Sequence, residues 1–101
     1  MKIHLFCAAG MSTSLLVSKM KEATTEDIEI HAYSINELGS RLDGVDVALL
    51  GPQVGYQLAQ AKKICEPKGI PVAVIPMVDY GLCNGANVVA FAKQLQMEKE
   101  N

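Results

Sequence analysis

Short hydrophobic runs alternate with helical patterns along the whole chain. The runs span residues 3–6, 28–33, 45–50 and 70–75. The first, third and fourth are almost continuously apolar, which is typical of strands buried on both faces. The second alternates Ile28, Ile30 and Ala32 with Glu29, His31 and Tyr33. That alternation predicts an edge strand with one face in water.

A stripe of apolar residues at helical spacing follows each run. The stripes begin at Leu15, Ile35, Leu58 and Val88. The strand–helix order predicts an α/β fold whose four-stranded parallel sheet has helices on both faces. Because right-handed crossovers leave few topologies, we expect the strand order 2-1-3-4. The length fits a single domain over residues 1–101.

Composition and charge narrow the function classes. Half of the residues are hydrophobic and a fifth are charged, as in globular domains with one modest core. The net charge is −2 and neither half is strongly basic, which argues against nucleic-acid binding. No stretch resembles a signal peptide or approaches the length of a membrane span. We therefore expect a cytoplasmic protein that meets a membrane only through a partner.

The cysteines do not form a recognisable metal motif. Cys7, Cys65 and Cys83 make no C-x-x-C pair, and the histidines are His4 and His31. Zinc-ligand spacing is absent, so we expect neither a metal nor another cofactor. An odd number of cysteines in a reducing compartment indicates free thiols.

The segment after the first strand carries the strongest chemical signal. Cys7 ends the strand and is followed by Ala8, Ala9, Gly10, Met11, Ser12, Thr13 and Ser14. In such sheets, ligands bind beyond the carboxyl ends of the strands where the strand order reverses, here between strands one and three. Loop amides and a helix N-terminus there would bind an anion and lower the pKa of the thiol. A thiolate facing an anion site is a nucleophile facing a phosphate.

A structural interpretation of the same segment stays open at this point. A cysteine near a strand end is often a small buried hydrophobic residue. Ser12 or Thr13 would then serve as the N-cap of the following helix.

The absence of an arginine separates this segment from that of cysteine phosphatases, which use a C-x-x-x-x-x-R loop. Thr13 takes the place of the arginine, and no arginine or lysine occurs between Cys7 and Val17. Without a bidentate clamp on the phosphoryl oxygens, hydrolysis should be poorly stabilised. The loop is better suited to holding a transferable phosphoryl group.

Residues 5–17 (LFCAAGMSTSLLV) closely resemble the active-site segment of the IIB component of the bacterial phosphotransferase system, lactose/cellobiose (chitobiose) family. Residues 49–54 give a second match and residues 79–81 a third, looser one. The resemblance covers nearly the whole chain. It implies a fold like that of low-molecular-weight tyrosine phosphatase.

The resemblance also implies a function. A IIA protein would donate a phosphoryl group from a histidine, and Cys7 would hold it as phosphocysteine. The loop Ala8–Ser14 would surround the group. The acceptor would be a β-linked disaccharide of the cellobiose, chitobiose or lactose type, bound to the membrane component IIC. We expect a monomer that needs no cofactor.

Residues after the third and fourth strands are candidates for supporting roles. Gln53 would either hydrogen-bond the phosphoryl group or donor, or cap a helix. Tyr56 would face the partner or pack. Asp79 is a possible general acid or base, but we favour a turn or N-cap role. Tyr80 beside it is a further supporting candidate.

Two other functions compete with the carrier. One is a low-molecular-weight cysteine phosphatase or an arsenate-reductase-like enzyme. The other is a thiol redox protein that pairs Cys7 with Cys65 or Cys83. His4 is a poor base for Cys7, since strand alternation places the two on opposite faces, roughly 10 Å apart.

Overall fold

The computed structural model describes residues 1–8, 14–24 and 27–100. The strands are β1 (Lys2–Cys7), β2 (Glu29–Ser34), β3 (Val47–Leu50) and β4 (Val72–Val74). The α-helices are α1 (Ser14–Glu22), α2 (Leu58–Cys65), α3 (Met77–Gly81) and α4 (Gly85–Glu100). Shorter 3-10 helices span Ile35–Ser40, Pro52–Gln57 and Glu66–Lys68.

The four strands form one parallel sheet in the order β2-β1-β3-β4, which confirms the predicted topology. Ile3 pairs with Ile30 on one side and with Val47 on the other. Because all strands run in the same direction, their carboxyl ends meet at one edge of the sheet. The strand order reverses between β1 and β3, so this is the edge at which a ligand site is expected.

Alternating side chains of the central strands contribute to two separate hydrophobic cores. Phe6 and Leu50 belong to one core, which is covered by the 3-10 helix Ile35–Ser40 and by α2. Leu5 and Leu49 belong to the other, which is covered by α1 and α4. Successive side chains of a strand point to opposite faces, and the sheet is therefore buried on both sides.

The segment after β2 is a 3-10 helix and not the α-helix that its apolar spacing predicted. Ser34 and Glu37 form a capping box at its start. The helix has six residues, of which Ile35 and Leu38 are buried, and it ends before Leu42. Side chains three residues apart eclipse each other in a 3-10 helix, so two apolar residues suffice to anchor so short a segment.

Other boundaries also differ from the sequence prediction. β3 and β4 each begin two residues later than the hydrophobic runs that predicted them. β2 is the predicted edge strand with Ile30 buried, but Ala32 is exposed. The five-residue helix α3 was not predicted, because it is too short to show a helical stripe. Among the described residues, no helix is both long and apolar enough to cross a membrane.

His4 is a buried polar residue on the face opposite to the thiol of Cys7. Its Nδ1–H donates to the Arg41 carbonyl oxygen at 2.7 Å, which leaves Nε2 buried with no partner among the described residues. The rings of His31 and Tyr33 pack against it. Burial lowers the pKa of His4 below 6.5, and the positive charges of Lys2 and Arg41 add to this effect.

We expect the free energy of unfolding to fall as the pH drops below about 6.5. The folded state holds His4 neutral while the unfolded chain protonates it near 6.5, so protons favour unfolding from there down to the lower folded pKa. The slope cannot exceed about 1.4 kcal/mol per pH unit for one proton. Denaturant unfolding between pH 7.5 and 5 would measure it. His4→Gln should flatten this dependence, and His31→Gln should retain it; equal slopes in both variants would contradict the assignment.

Candidate functional site

Cys7 ends β1 at the carboxyl edge of the sheet. The residue is 2% exposed, and its strand partner in β2 is Ser34. On the other side lies Gly51, whose N–H donates to the Phe6 carbonyl oxygen at 2.9 Å. By strand alternation, the thiol points to the same face as Leu5, the face covered by α1 and α4. It therefore lies at the junction of β1 and β3, where the strand order reverses.

Gly51 forms a wall of this site. A Cβ atom on it would lie 2.9 Å from Cys7 Sγ and 2.7 Å from Gln53 Oε1, too close for either contact. Only glycine leaves room for the thiol and the amide side by side. Sequence reasoning did not assign Gly51 a role, although a glycine directly after a buried strand is a signal of close approach.

The described surroundings of Cys7 favour its neutral thiol form. Burial raises the pKa of Cys7, while the nearby Tyr80 hydroxyl and Gly51 backbone N–H, both potential donors to sulfur, act in the opposite direction. We expected a lowered pKa from the amides of the following loop. The amides of residues 9–13 lie outside the described residues, and the surroundings that are described are dominated by apolar packing.

Tyr80 is the supporting candidate nearest to the thiol. Its side chain packs against the core beneath α1 and α4. Burial and the neighbouring Cys7 raise the pKa of the hydroxyl, while the nearby Gln53 side chain, a potential donor, lowers it. No bond to this buried hydroxyl is geometrically complete among the described residues. Cys7, Gln53 and Tyr80 thus converge from the ends of β1, β3 and β4.

The remaining supporting candidates, Asp79 and Tyr56, form hydrogen bonds with residues other than Cys7. The Asp79 carboxylate accepts a hydrogen bond from Asn87 Nδ2 at 3.0 Å, and its carbonyl accepts from Asn84 N–H at 2.8 Å. These bonds tie α3 to α4. Tyr56 is 81% exposed, and its hydroxyl accepts from Gln57 Nε2 at 3.2 Å. No side-chain cap from Gln53 is found on the 3-10 helix Pro52–Gln57.

The predicted phosphate loop is only partly described. Ala8 packs against the core that contains Phe6, and Ser14 is the exposed first residue of α1. The predicted roles of Ala9, Gly10, Met11, Ser12 and Thr13 fall outside the described residues. Their part in binding a phosphoryl group stays a prediction.

The other cysteines occupy different surroundings. Cys65 is fully buried in the core that contains Phe6, on the face of the sheet away from the Cys7 thiol. Cys83 lies in the turn between α3 and α4 with a left-handed φ of 50°. It is close enough to Tyr80 to contribute to the raised pKa of that hydroxyl. All three cysteines are free thiols.

Comparison with known proteins identifies the family. Residues 2–91 match the family described as "PTS system, Lactose/Cellobiose specific IIB subunit". The chain is 48% identical to a galactose-specific EIIB component of the phosphotransferase system from Lactococcus lactis subsp. cremoris, with 92% of this chain and 94% of the relative covered. It is 36% identical to an oligo-beta-mannoside-specific EIIB component from Bacillus subtilis, with 97% and 98% covered.

Solved structures agree with this match. The solution structure of a cellobiose-specific IIB component from Borrelia burgdorferi has a TM-score of 0.80 at 36% identity, with 98% of this chain and 94% of that chain covered. The lactose-specific IIB domain from Streptococcus pneumoniae has a TM-score of 0.82 at 17% identity, over 93% and 95%, and supports the fold alone. The chain belongs to the lactose/cellobiose-specific IIB subunits of the sugar phosphotransferase system.

Proposed function

We propose that this protein carries a phosphoryl group on Cys7 between two partners of the phosphotransferase system. A phosphohistidine of a IIA protein donates the group, and a hydroxyl of a β-linked disaccharide, held by the membrane component IIC, accepts it. The observation that carries the proposal is the position of the Cys7 thiol at the strand-order reversal, beside Gly51. That is where open α/β sheets bind ligands.

The covalent intermediate follows from the chemistry of a thiol. A thiolate is nucleophilic, and a phosphocysteine splits one transfer between two partners into two simpler steps. In this protein, burial raises the pKa of the resting thiol and so favours its neutral form. The nucleophile is then formed only when a donor brings its phosphoryl group to the site.

The chain's only arginine supports transfer over hydrolysis. Arg41 lies with its guanidinium 4.8 Å from the centre of the Tyr33 ring and pairs with Glu37 at 3.2 Å. It is therefore engaged on the His4 side of the sheet and does not supply the phosphoryl clamp of a cysteine phosphatase. The phosphatase alternative lacks its main electrostatic group.

Exposed apolar side chains at the carboxyl edge fit transient docking. Leu15, Tyr56, Met77, Val78 and Leu82 are each at least 58% exposed. They belong to the segments that follow β1, β3 and β4, the same segments that surround the thiol. Apolar surface concentrated in this way marks interaction sites. A carrier has to release its donor before it meets its acceptor, and a modest apolar surface of this kind suits such short-lived complexes.

Intact-mass spectrometry would test the proposal. The protein is incubated with phosphoenolpyruvate, the general phosphocarriers and a IIA protein of this family. We expect the addition of one phosphoryl group, absent when phosphoenolpyruvate or the IIA protein is left out. No adduct together with phosphate release from an aryl phosphate would support the phosphatase alternative instead.

A further inference from the structure

The Tyr80 hydroxyl is a buried polar group that the described part of the fold leaves without a hydrogen bond. The atom is inaccessible to solvent, and no described residue completes a hydrogen bond with it. Buried polar groups without partners cost folding free energy and are few in native proteins. A phenylalanine would fill the same apolar space beneath α1 and α4 without this cost. The hydroxyl therefore calls for an explanation outside folding.

The polar groups around this hydroxyl are those of the proposed site. Cys7 Sγ and Gln53 Oε1 lie side by side over Gly51, where a single Cβ atom would collide with both. Tyr80 belongs to α3, directly after β4, and its hydroxyl is close enough to Cys7 and Gln53 to interact with both electrostatically. A tyrosine hydroxyl donates one hydrogen bond, and a glutamine amide can donate to its oxygen at the same time. Gln53 can thus donate to the hydroxyl oxygen and orient it, while the hydroxyl proton remains available for a hydrogen bond to sulfur.

We propose that the Tyr80 hydroxyl is the hydrogen-bond donor that stabilises the Cys7 thiolate, with Gln53 as the residue that positions it. This inference rests on the proposed carrier function. A neutral thiol is a weak acceptor, so the bond stays incomplete while Cys7 is protonated. Once sulfur carries a negative charge, the bond becomes charge-assisted and is roughly twice as strong as a neutral one.

The thiolate is needed at both ends of the transfer. In acceptance, the Cys7 thiol gives its proton to water, and an electron pair of the resulting thiolate forms the S–P bond. The N–P bond of the phosphohistidine breaks at the same time, and its pair stays on the imidazole nitrogen. In release, the sugar hydroxyl oxygen bonds to phosphorus and the S–P pair returns to sulfur. The sugar hydroxyl gives its proton to water or to a base of IIC. Tyr80 keeps its own proton throughout and donates to sulfur whenever it is anionic.

The direct test measures the thiol and needs no phosphoryl donor. The rate of Cys7 alkylation is followed against pH by peptide mass spectrometry, which separates Cys7 from the other cysteines. We expect Tyr80→Phe to raise the pKa of Cys7 by about one unit, which is about tenfold less thiolate at a fixed pH below that pKa. Tyr33→Phe, a matched change on the other face of the sheet, should leave the profile unchanged. A wild-type profile in Tyr80→Phe would overturn the proposal.

Additional measurements distinguish a failure of this inference from a failure of the carrier function. Gln53→Ala changes an exposed side chain and should shift the Cys7 profile in the same direction by a smaller amount. Tyr80→Phe should also slow phosphoryl acceptance about tenfold, in proportion to the lost thiolate. A shifted alkylation profile with no acceptance in the wild type would support the Tyr80–Cys7 pair and contradict the carrier function. Normal phosphoryl acceptance by the wild type, with an unshifted alkylation profile in Tyr80→Phe, would support the carrier function and contradict the Tyr80–Cys7 pair.

Discussion

Cys7→Ser should abolish phosphoryl acceptance, with a loss of at least about a thousandfold, as expected when a covalent nucleophile is removed. A serine hydroxyl does not ionise near neutral pH and needs a neighbouring base. The nearest histidine in sequence, His4, faces the other side of the sheet and donates its Nδ1–H to the Arg41 carbonyl oxygen. The substitution replaces sulfur by the smaller oxygen atom and adds no bulk to a tight site, so the fold should persist.

Variants of the other cysteines are the matched controls. Cys65→Ala and Cys83→Ser should both accept one phosphoryl group in the same intact-mass assay, because Cys65 is buried on the other face and Cys83 lies in a turn. Thermal unfolding of each variant would show that loss of acceptance is not loss of fold. Acceptance by Cys7→Ser would place the phosphoryl group elsewhere. Loss of acceptance in Cys83→Ser, with its fold intact, would bring back the thiol redox alternative.

Gly85→Ala should destabilise the protein by about 3 kcal/mol or more, at the upper end of the range for overpacking. A Cβ atom on Gly85 would overlap the backbone of α1 at the Lys19 carbonyl and the Met20 nitrogen. Backbone cannot move aside as a side-chain tip can, so α1 and α4 would have to separate along their contact. For a chain of this size the midpoint of thermal unfolding should fall by roughly 10–25 °C.

Gly81→Ala is the control for this substitution. Gly81 ends α3, and nothing lies within 4 Å of the position of its Cβ. Alanine at a helical position with free space should be neutral or stabilise by up to about 1 kcal/mol. Denaturant unfolding of both variants would measure the difference. A loss below about 0.5 kcal/mol in Gly85→Ala, the size of effect usual for surface substitutions, would contradict the prediction. It would mean that α1 and α4 can separate at little cost in free energy.

The two predictions concern connected parts of the molecule. α1 begins at Ser14, seven residues after Cys7, and its other end is held against the first turn of α4. The close contact at Gly85 fixes the axis of α1 relative to the sheet. Any phosphoryl group that the N-terminus of α1 helps to bind depends on that axis. Partial unfolding of α1 should therefore reduce acceptance before the sheet itself unfolds.

Much of the fold could be predicted from hydrophobic patterning. Continuous apolar runs at residues 3–6 and 45–50 predicted strands buried on both faces, and the alternation at residues 28–33 predicted the edge strand. These patterns are local consequences of which faces are buried, so one sequence suffices to reveal them. The segment Ile35–Ser40 was predicted as an α-helix but is a 3-10 helix, and α3 was not predicted, since short segments carry too few residues for a period to be distinguished.

The features of the candidate site also fall into those that the sequence reveals and those that require the tertiary structure. The sequence alone determined that a thiol ends the first strand, that small and hydroxyl-bearing residues follow it, and that no arginine is near it in the chain. Those are properties of adjacent residues. Only the tertiary structure decided that Gly51 leaves space for the thiol and that Cys7 is buried enough for its pKa to rise. It alone also decided that Tyr80, after β4, has a buried hydroxyl with no hydrogen-bond partner among the described residues. These features depend on residues more than 40 positions apart, which parallel pairing brings to one edge of the sheet and which no local pattern records.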